Sequence, residues 1–252
     1  MDIAGYAAAS AGLLQMRKLE VQNNNLANIN TVGFKRQFVI SEREDFNDTF
    51  AKELEPTDPF AKGDQARVSN VTETETRIDF SAGPIKATGA PLDVALKNPK
   101  DFFIINTPQG VRYTRAGNFT LSANGELVTQ DGFQVQGDGG VILTQGAGVQ
   151  IAADGSVTAG PVNFGRIQTV RFPDTAGLVP VGGARFQLQG GAAPAQIPAE
   201  LEPQALEMSN VSAVTGMIDL ITTNRAFDAY TKAAQTIDNL NQASITQYGK
   251  RQ

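Results

Sequence analysis

The chain predicts an α+β fold, with a long helix at each end packed as a coiled-coil-like pair and a central antiparallel β domain, a bent barrel or sandwich, between them. Three observations carry that reading. Residues 209–248 contain one glycine, Gly216, and no proline. Residues 2–28 contain no proline and only Gly5 and Gly12. From 82 to 189, short β-prone runs alternate with turn signals at a spacing of about eight to twelve residues, the pattern of a compact all-β domain.

The N-terminal segment, 1–36, begins with the first helix. Ile3, Tyr6, Leu13, Leu14 and Met16 fall within one half of a helical wheel, which makes an apolar face. The helix runs into an asparagine-rich passage, Asn23-Asn24-Asn25-Leu26-Ala27-Asn28-Ile29-Asn30. Asparagine competes for backbone hydrogen bonds and tolerates the left-handed conformation, so the helix is expected to fray here. Buried amides that bond to the backbone of a neighbouring helix are the alternative. Gly33 then supplies a turn with positive φ, and Phe34 packs the departing chain against apolar surface.

Residues 37–80 read as an extended acidic connection. Pro56, Pro59 and Gly63 interrupt any long element, 42–51 has the composition of a short polar helix, and Arg77-Ile78-Asp79-Phe80 returns to strand. Eleven acidic and five basic residues between Ser41 and Phe80 give this stretch −6, against −5 for the whole chain. Such a run is normally a solvated loop.

The β domain, 81–190, is written in hairpins. Strands at 101–106 and 111–115 flank the turn Thr107-Pro108-Gln109-Gly110, and strands at 118–122 and 126–130 flank Ala123-Asn124-Gly125. Asn-Gly is a strong hairpin signal because both residues accept positive φ. Asp131-Gly132, Asp138-Gly139-Gly140 and Asp154-Gly155 mark further turns. Runs at 164–172 and 184–189 are expected to pair and close the domain.

Small residues and prolines at 191–208 read as a linker to the C-terminal segment, 209–252. There Val211, Val214, Ile218 and Ile221 repeat at helical steps, followed by Phe227, Tyr230, Ile237 and Leu240 on a stripe displaced sideways. Ser209 or Asn210 is placed to cap the start, and Gly249 to end the helix. Arg225 lies on the polar side, where it would pair with Asp228, Glu207 or a neighbouring chain. About 38 helical residues would extend roughly 57 Å. Two amphipathic helices of this length leave an outer stripe wet, and the sideways shift implies apolar contact on more than one side. The termini are therefore expected to order on packing against helices of other subunits, in contacts that close into rings or continue as a tube.

Composition excludes much chemistry. The chain has no cysteine, histidine or tryptophan, so disulfides, thiolate metal sites, His-dependent triads and zinc-protease helices are ruled out. No cofactor or metal is expected, and no basic face suits nucleic acid. No apolar run is long enough to span a membrane. Asp2, Gln15, Arg17 and Lys18 break the pattern of a cleavable signal peptide, so the expectation is retention in the cytoplasm or export by a route that reads no such signal.

Several motifs resemble one family. Asn25-Leu26-Ala27-Asn28-Ile29-Asn30-Thr31-Val32-Gly33-Phe34-Lys35-Arg36 is similar to the signature of the flagellar rod, hook and hook-associated axial proteins of bacteria. Pro91-Leu92-Asp93-Val94-Ala95-Leu96, Phe102-Phe103, Arg112 to Phe119 and Asn124 to Thr129 resemble the central domain of the rod members. Leu206-Glu207-Met208-Ser209-Asn210-Val211 and Asn224-Arg225-Ala226-Phe227-Asp228-Ala229 match the second terminal motif. The resemblance implies a mechanical, non-enzymatic subunit of the basal-body rod, exported through the flagellum's own apparatus. Its helices would line a tube around the export channel and its β domain would face outward. The implied partners are other copies, neighbouring rod proteins, the export apparatus and bushing-ring proteins. The assembly surface would comprise the apolar residues of both helices named above, with Asn24, Asn25, Leu26, Asn28, Gly33, Phe34 and Arg225.

Two other readings stay open. Asp131, Asp138 and Asp154 are candidates for a carboxylate-based glycosidase, although each precedes a turn glycine, where aspartate is expected for conformational reasons. A secreted adhesin or effector with helical stalks would share the same organisation.

Overall fold

The computed structural model describes residues 3–45, 69–144 and 148–249. The rest of the acidic segment, including 46–51 of the proposed polar helix, lies outside the described residues. Two compact units result. The first combines residues 1–26, 37–77 and 213–252, and the second residues 27–36 and 78–212.

The first unit holds α1, Ile3–Ala27, and α2, Ala213–Gly249, with a two-stranded ribbon of Gln37–Asp45 and Ser69–Ile78. Glu42 to Asp45 is thus strand rather than helix. The two helices pack together. Gln22 Nε2 donates to Thr223 Oγ1 at 3.0 Å, and a side chain added at Gly216 would touch Leu26. Since the contacts run in opposite senses along the two helices, the pair is antiparallel. No described helix is long and apolar enough to cross a membrane.

Helix α1 does not fray at its asparagines but continues to Ala27. Asn25 is buried, and its amide makes two bonds to the backbone of Gln37, donating to the carbonyl at 2.7 Å and accepting from the N–H at 2.8 Å. A buried amide does pair with backbone here, though with an incoming strand rather than a neighbouring helix.

Helix α2 begins at Ala213, later than Ser209. The cap residues proposed for it are engaged elsewhere. Ser209 Oγ accepts from Val211 N–H at 3.2 Å, while Asn210 binds Arg36 N–H, Asp79 O and Ser81. Val211, placed by its spacing on the helical stripe, lies ahead of the helix and is buried.

The second unit is built on the strand Asp101–Thr107, buried on both faces over its first five residues. Alternation sends Phe103 and Ile105 to one face and Phe102 and Ile104 to the other. The first pair joins a cluster with Val94, Leu96, Leu127, Val135, Ile151, Val157, Ile167 and Leu201. The second joins Val170, Phe172, Leu178 and Phe186, where Phe102 meets Phe172 and Phe80 edge to face at 5.4 and 5.6 Å. The ten-stranded antiparallel sheet follows an open path from Leu178–Pro180 to Thr120–Leu121. A second sheet of Val149–Ile151, Ser156–Ala159 and Val162–Arg166 contributes to the first cluster. The arrangement is layered rather than a closed barrel.

Three sequence expectations change here. The supposed linker 191–208 carries the strands Ala195–Ile197, Leu201–Pro203 and Ala205–Glu207, which pair with Thr169–Arg171, Val94–Leu96 and Ile85–Ala87. Residues 195–207 of this stretch thus belong largely to strands of the β unit. The runs 164–172 and 184–189 do not pair. Thr169–Arg171 joins Asp101–Phe103, and Arg185–Leu188 joins Leu178–Pro180 and the strand Gly110–Thr114. At Asn124-Gly125 only the glycine takes positive φ, +79°. Ser122 replaces the second left-handed residue, its hydroxyl accepting from the N–H groups of Asn124 and Glu126. The hairpin Asp101–Thr107 and Gly110–Thr114 forms as read, with Thr107 opposite Gly110.

Gly117 packs against the Val94 carbonyl, and a Cβ there would lie well inside van der Waals contact, whereas at Gly139 nothing lies within 4 Å. Gly117→Ala is therefore expected to destabilise the β unit by about 1–3 kcal/mol and Gly139→Ala to stay within about 0.5 kcal/mol, read as shifts in urea midpoint.

Candidate assembly surface and its anchoring node

The chain following α1 and the chain preceding α2 meet in the β unit around a single carboxylate. Glu207 ends the strand Ala205–Glu207 with its side chain turned inward. Its Oε1 accepts from Lys35 Nζ at 2.7 Å and Gly83 N–H at 2.9 Å. Its Oε2 is held by Arg115, with Nε at 2.7 Å and Nη2 at 2.6 Å. The side chains of all three residues are at most 2 % exposed. The second positive charge is offset by carbonyl oxygens: Lys35 also donates to Ser81 O at 2.5 Å, and Arg115 Nη1 to Asp101 O and Asn98 O at 2.6 and 2.9 Å. Arg115 also lies over the Phe102 ring at 5.7 Å.

Backbone bonds draw the same segments together. Gly33 N–H donates to Glu207 O at 2.8 Å and Asp79 N–H to Arg36 O at 2.8 Å. Gly33 takes φ +70°, and any Cβ there would collide with the backbone of Arg115 and Ala116. Glycine is required at this position for both conformation and space. Phe34 is buried as expected. Burial alone would raise the Glu207 carboxyl, but Arg115, Lys35 and the two hydrogen bonds outweigh it and hold the group below its ordinary value. Lys35 is displaced downward, burial outweighing the attraction of Glu207.

The helices present a different kind of surface. Neither apolar cluster contains a residue of α1 or α2. Among the described residues, Thr223 is the one buried side chain of α2, and Val21 and Asn25 those of α1. Half-buried positions on α2 follow a heptad seam through Ala213, Gly216, Leu220, Phe227, Ala234 and Ile237. Val214, Met217, Ile218 and Ile221 form a second stripe and are 51–70 % exposed. Tyr230 and Leu240 of α2 and Leu13 and Met16 of α1 are exposed too.

The residues predicted for assembly thus divide. Leu13, Met16, Val214, Ile218, Ile221, Tyr230 and Leu240 lie open, with Arg225 and Asn24. Leu14, Leu26, Asn28, Phe227 and Ile237 are half-buried, and Asn25, Gly33, Phe34 and Val211 are buried within the chain. The side chains of Ile3 and Tyr6 lie outside the described residues. Glu207 is not available to Arg225. The proposed glycosidase acids are turn residues: Asp154 binds Ser156 and Arg166, and Asp131 lies 3.7 Å from Arg185. Lys35, Arg115 and Glu207 each stand within one of the family-like motifs, but nothing in their spacing along the chain places them together. A glutamate in the apolar strand Ala205-Leu206-Glu207 was the available signal.

Three family models match the chain: a flagella basal body rod protein model over residues 6–35, a flagellar hook protein FlgE/F/G D1 domain model over 98–159, and a flagellar basal body rod FlgEFG protein C-terminal model over 202–247. The chain is 32 % identical to the flagellar basal-body rod protein FlgF of Caulobacter vibrioides, covering 99 % of each chain. It is 31 % identical to FlgF of Rhizobium meliloti over 100 % of both. Identity to FlgG of Caulobacter vibrioides is 32 %, over 94 % of this chain and 96 % of the relative.

Removing one member of the node leaves buried charge uncompensated. Glu207→Ala is expected to cost about 3–5 kcal/mol, measured by denaturant unfolding of the full chain. Because the folded carboxyl titrates below the unfolded value near 4.5, the unfolded chain takes up the proton first on acidification. The stability from Glu207 is present above about pH 4.5 and lost as pH falls through the folded value. Glu207→Gln should flatten that acid limb, seen in unfolding midpoints measured across pH 3–5.

Proposed function

The chain belongs to the FlgE/F/G family of flagellar basal-body rod proteins, structural and non-enzymatic, and from that premise we propose that it is a proximal, FlgF-type rod subunit that self-assembles through α1 and α2 into a helical tube. The tube transmits torque and surrounds the export channel. Its other copies and neighbouring rod proteins supply the surfaces that cover the helices. The export apparatus delivers the chain, and bushing-ring proteins are its outer neighbours.

One observation carries this reading. The stripe Val214, Met217, Ile218 and Ile221 is apolar, spaced for a helical partner and more than half exposed. Covering its exposed part is worth about 3–7 kcal/mol per copy, enough to drive association once repeated along a polymer. Leu13 and Met16 offer a matching strip on α1. A long helix whose apolar residues stay wet in its own chain fits a subunit whose core is completed by others. The FlgF-type position is supported by alignment over 99–100 % of this chain with two FlgF proteins, against 94 % with FlgG at similar identity.

Ile218→Asp combined with Ile221→Asp tests the surface. The variant is expected to lose assembly, read by sedimentation and electron microscopy, and to abolish motility, while the β unit melts at the unaltered temperature. Assembly at the unaltered concentration would overturn the proposal.

A further inference from the structure

The contact between α1 and α2 is unusual in what it buries. A directly bonded pair here is polar, Gln22 Nε2 donating to Thr223 Oγ1 at 3.0 Å, and the threonine hydroxyl donates in turn to Asp219 O at 2.8 Å. Thr223 is only 8 % exposed. The other amide atom, Gln22 Oε1, is buried and accepts no hydrogen bond among the described residues. A buried acceptor left without a donor opposes the arrangement in which it occurs.

The apolar residues around this pair distinguish registers by size alone, not by bonding. Sliding α2 by one heptad exchanges Ala213, Leu220, Phe227 and Ala234 for one another, and all four are apolar. The seam keeps its face, because seven residues make nearly two turns. What changes is the column through Gly216, Thr223, Tyr230 and Ile237. In a slid register Gln22 faces glycine or the bulky tyrosine instead of a hydroxyl at the helix surface. A buried polar pair within an otherwise apolar seam has a known physical use, since it selects one register at some expense of stability.

We propose that Gln22 and Thr223 are positioning residues that set the register of α1 against α2, so that each chain presents its outer stripe at one fixed height. The inference concerns pairing within one chain and goes beyond the assembly reading. It is also independent of the buried node, which lies wholly in the β unit.

The test uses the full chain, which has no cysteine, so spin labels attach only where cysteines are introduced. Labels at the exposed positions Asn23→Cys and Lys232→Cys are offset along the helix axis, and a heptad slide changes their separation by on the order of 10 Å. Labelled chain is diluted tenfold into unlabelled chain, and the distance distribution is measured by double electron–electron resonance. One narrow distance is expected in the parent. Gln22→Leu with Thr223→Val should retain or raise helical content by circular dichroism yet add a second, displaced distance. Thr223→Ser, which keeps the hydroxyl, should retain the single distance. A single unshifted distance in the apolar double variant would overturn the proposal, as would a broad distribution in the parent. Sedimentation of the same samples reports self-association separately, so failure of the register claim is distinguishable from failure of the assembly reading.

Discussion

Within the β unit, the segment that follows α1 and the segment that precedes α2 are tied together through one buried carboxylate. Glu207 cannot remain ionised in an apolar interior without close partners, and it has two cations and a backbone N–H. Those partners come from three distant places: Lys35 just beyond α1, Gly83 at the start of the β unit, and Arg115 at the end of a central hairpin. A hydrophobic cluster would hold the same segments together with more latitude, because apolar contacts have no direction. Here the carboxylate specifies which atom meets which. The surplus positive charge is balanced by fixed carbonyl dipoles at Ser81, Asn98 and Asp101, so each cation has one favourable place. Such a node contributes specificity more than net stability.

The two units are held by opposite means. In the β unit the phenylalanines at 102 and 103 point to opposite faces and seed a core on each, so that apolar burial stabilises the unit within one chain. In the helical unit many of the apolar residues are exposed, and the seam of the pair mixes Ala213, Gly216, Thr223 and Gln22 with Val21, Leu26, Leu220, Phe227 and Ile237. The gain from burying Thr223 and Val21 is small beside the conformational entropy of ordering two long helices. Self-sufficiency therefore belongs to the β unit, and dependence on neighbours to the helices.

The parts of this division legible in the sequence were those with a period or a punctuation mark. The two helices were readable from the missing prolines, the hairpin 101–114 from Thr-Pro-Gln-Gly, and the wet stripe at Val214, Ile218 and Ile221 from its spacing. The boundaries were not legible, because long-range bonds set them. Nothing local says that Asn210 will use its side chain on Arg36, Asp79 and Ser81 instead of capping a helix, or that Ala195–Ile197, just after a run of small residues, will pair with the strand at 169–171. The node was hidden for the same reason. Lys35, Arg115 and Glu207 sit in segments that resemble a family motif, but a charge looks alike on paper whether it is solvated or buried. Only the position of Glu207 between Leu206 and Met208 in an inward-facing strand set it apart.

The sideways displacement of the apolar stripe along α2 has a physical explanation in the geometry of the pair. Neighbouring residues on a helix are separated by about 100°, so the seam through Ala213, Gly216 and Leu220 and the stripe through Val214, Met217 and Ile221 point in different directions. The first can be narrow and small, because α1 approaches closely only where side chains are short. The second is apolar and stays exposed in the chain itself. Toward Phe227, Ala234 and Ile237 the larger side chains move onto the inner seam. A straight helix with a constant stripe could satisfy α1 or a neighbour, but not both. Changing which side carries the bulk leaves the apolar residues of the first half exposed and turns those at 227, 234 and 237 toward the seam, with the polar contact at Thr223 lying where the two patterns cross.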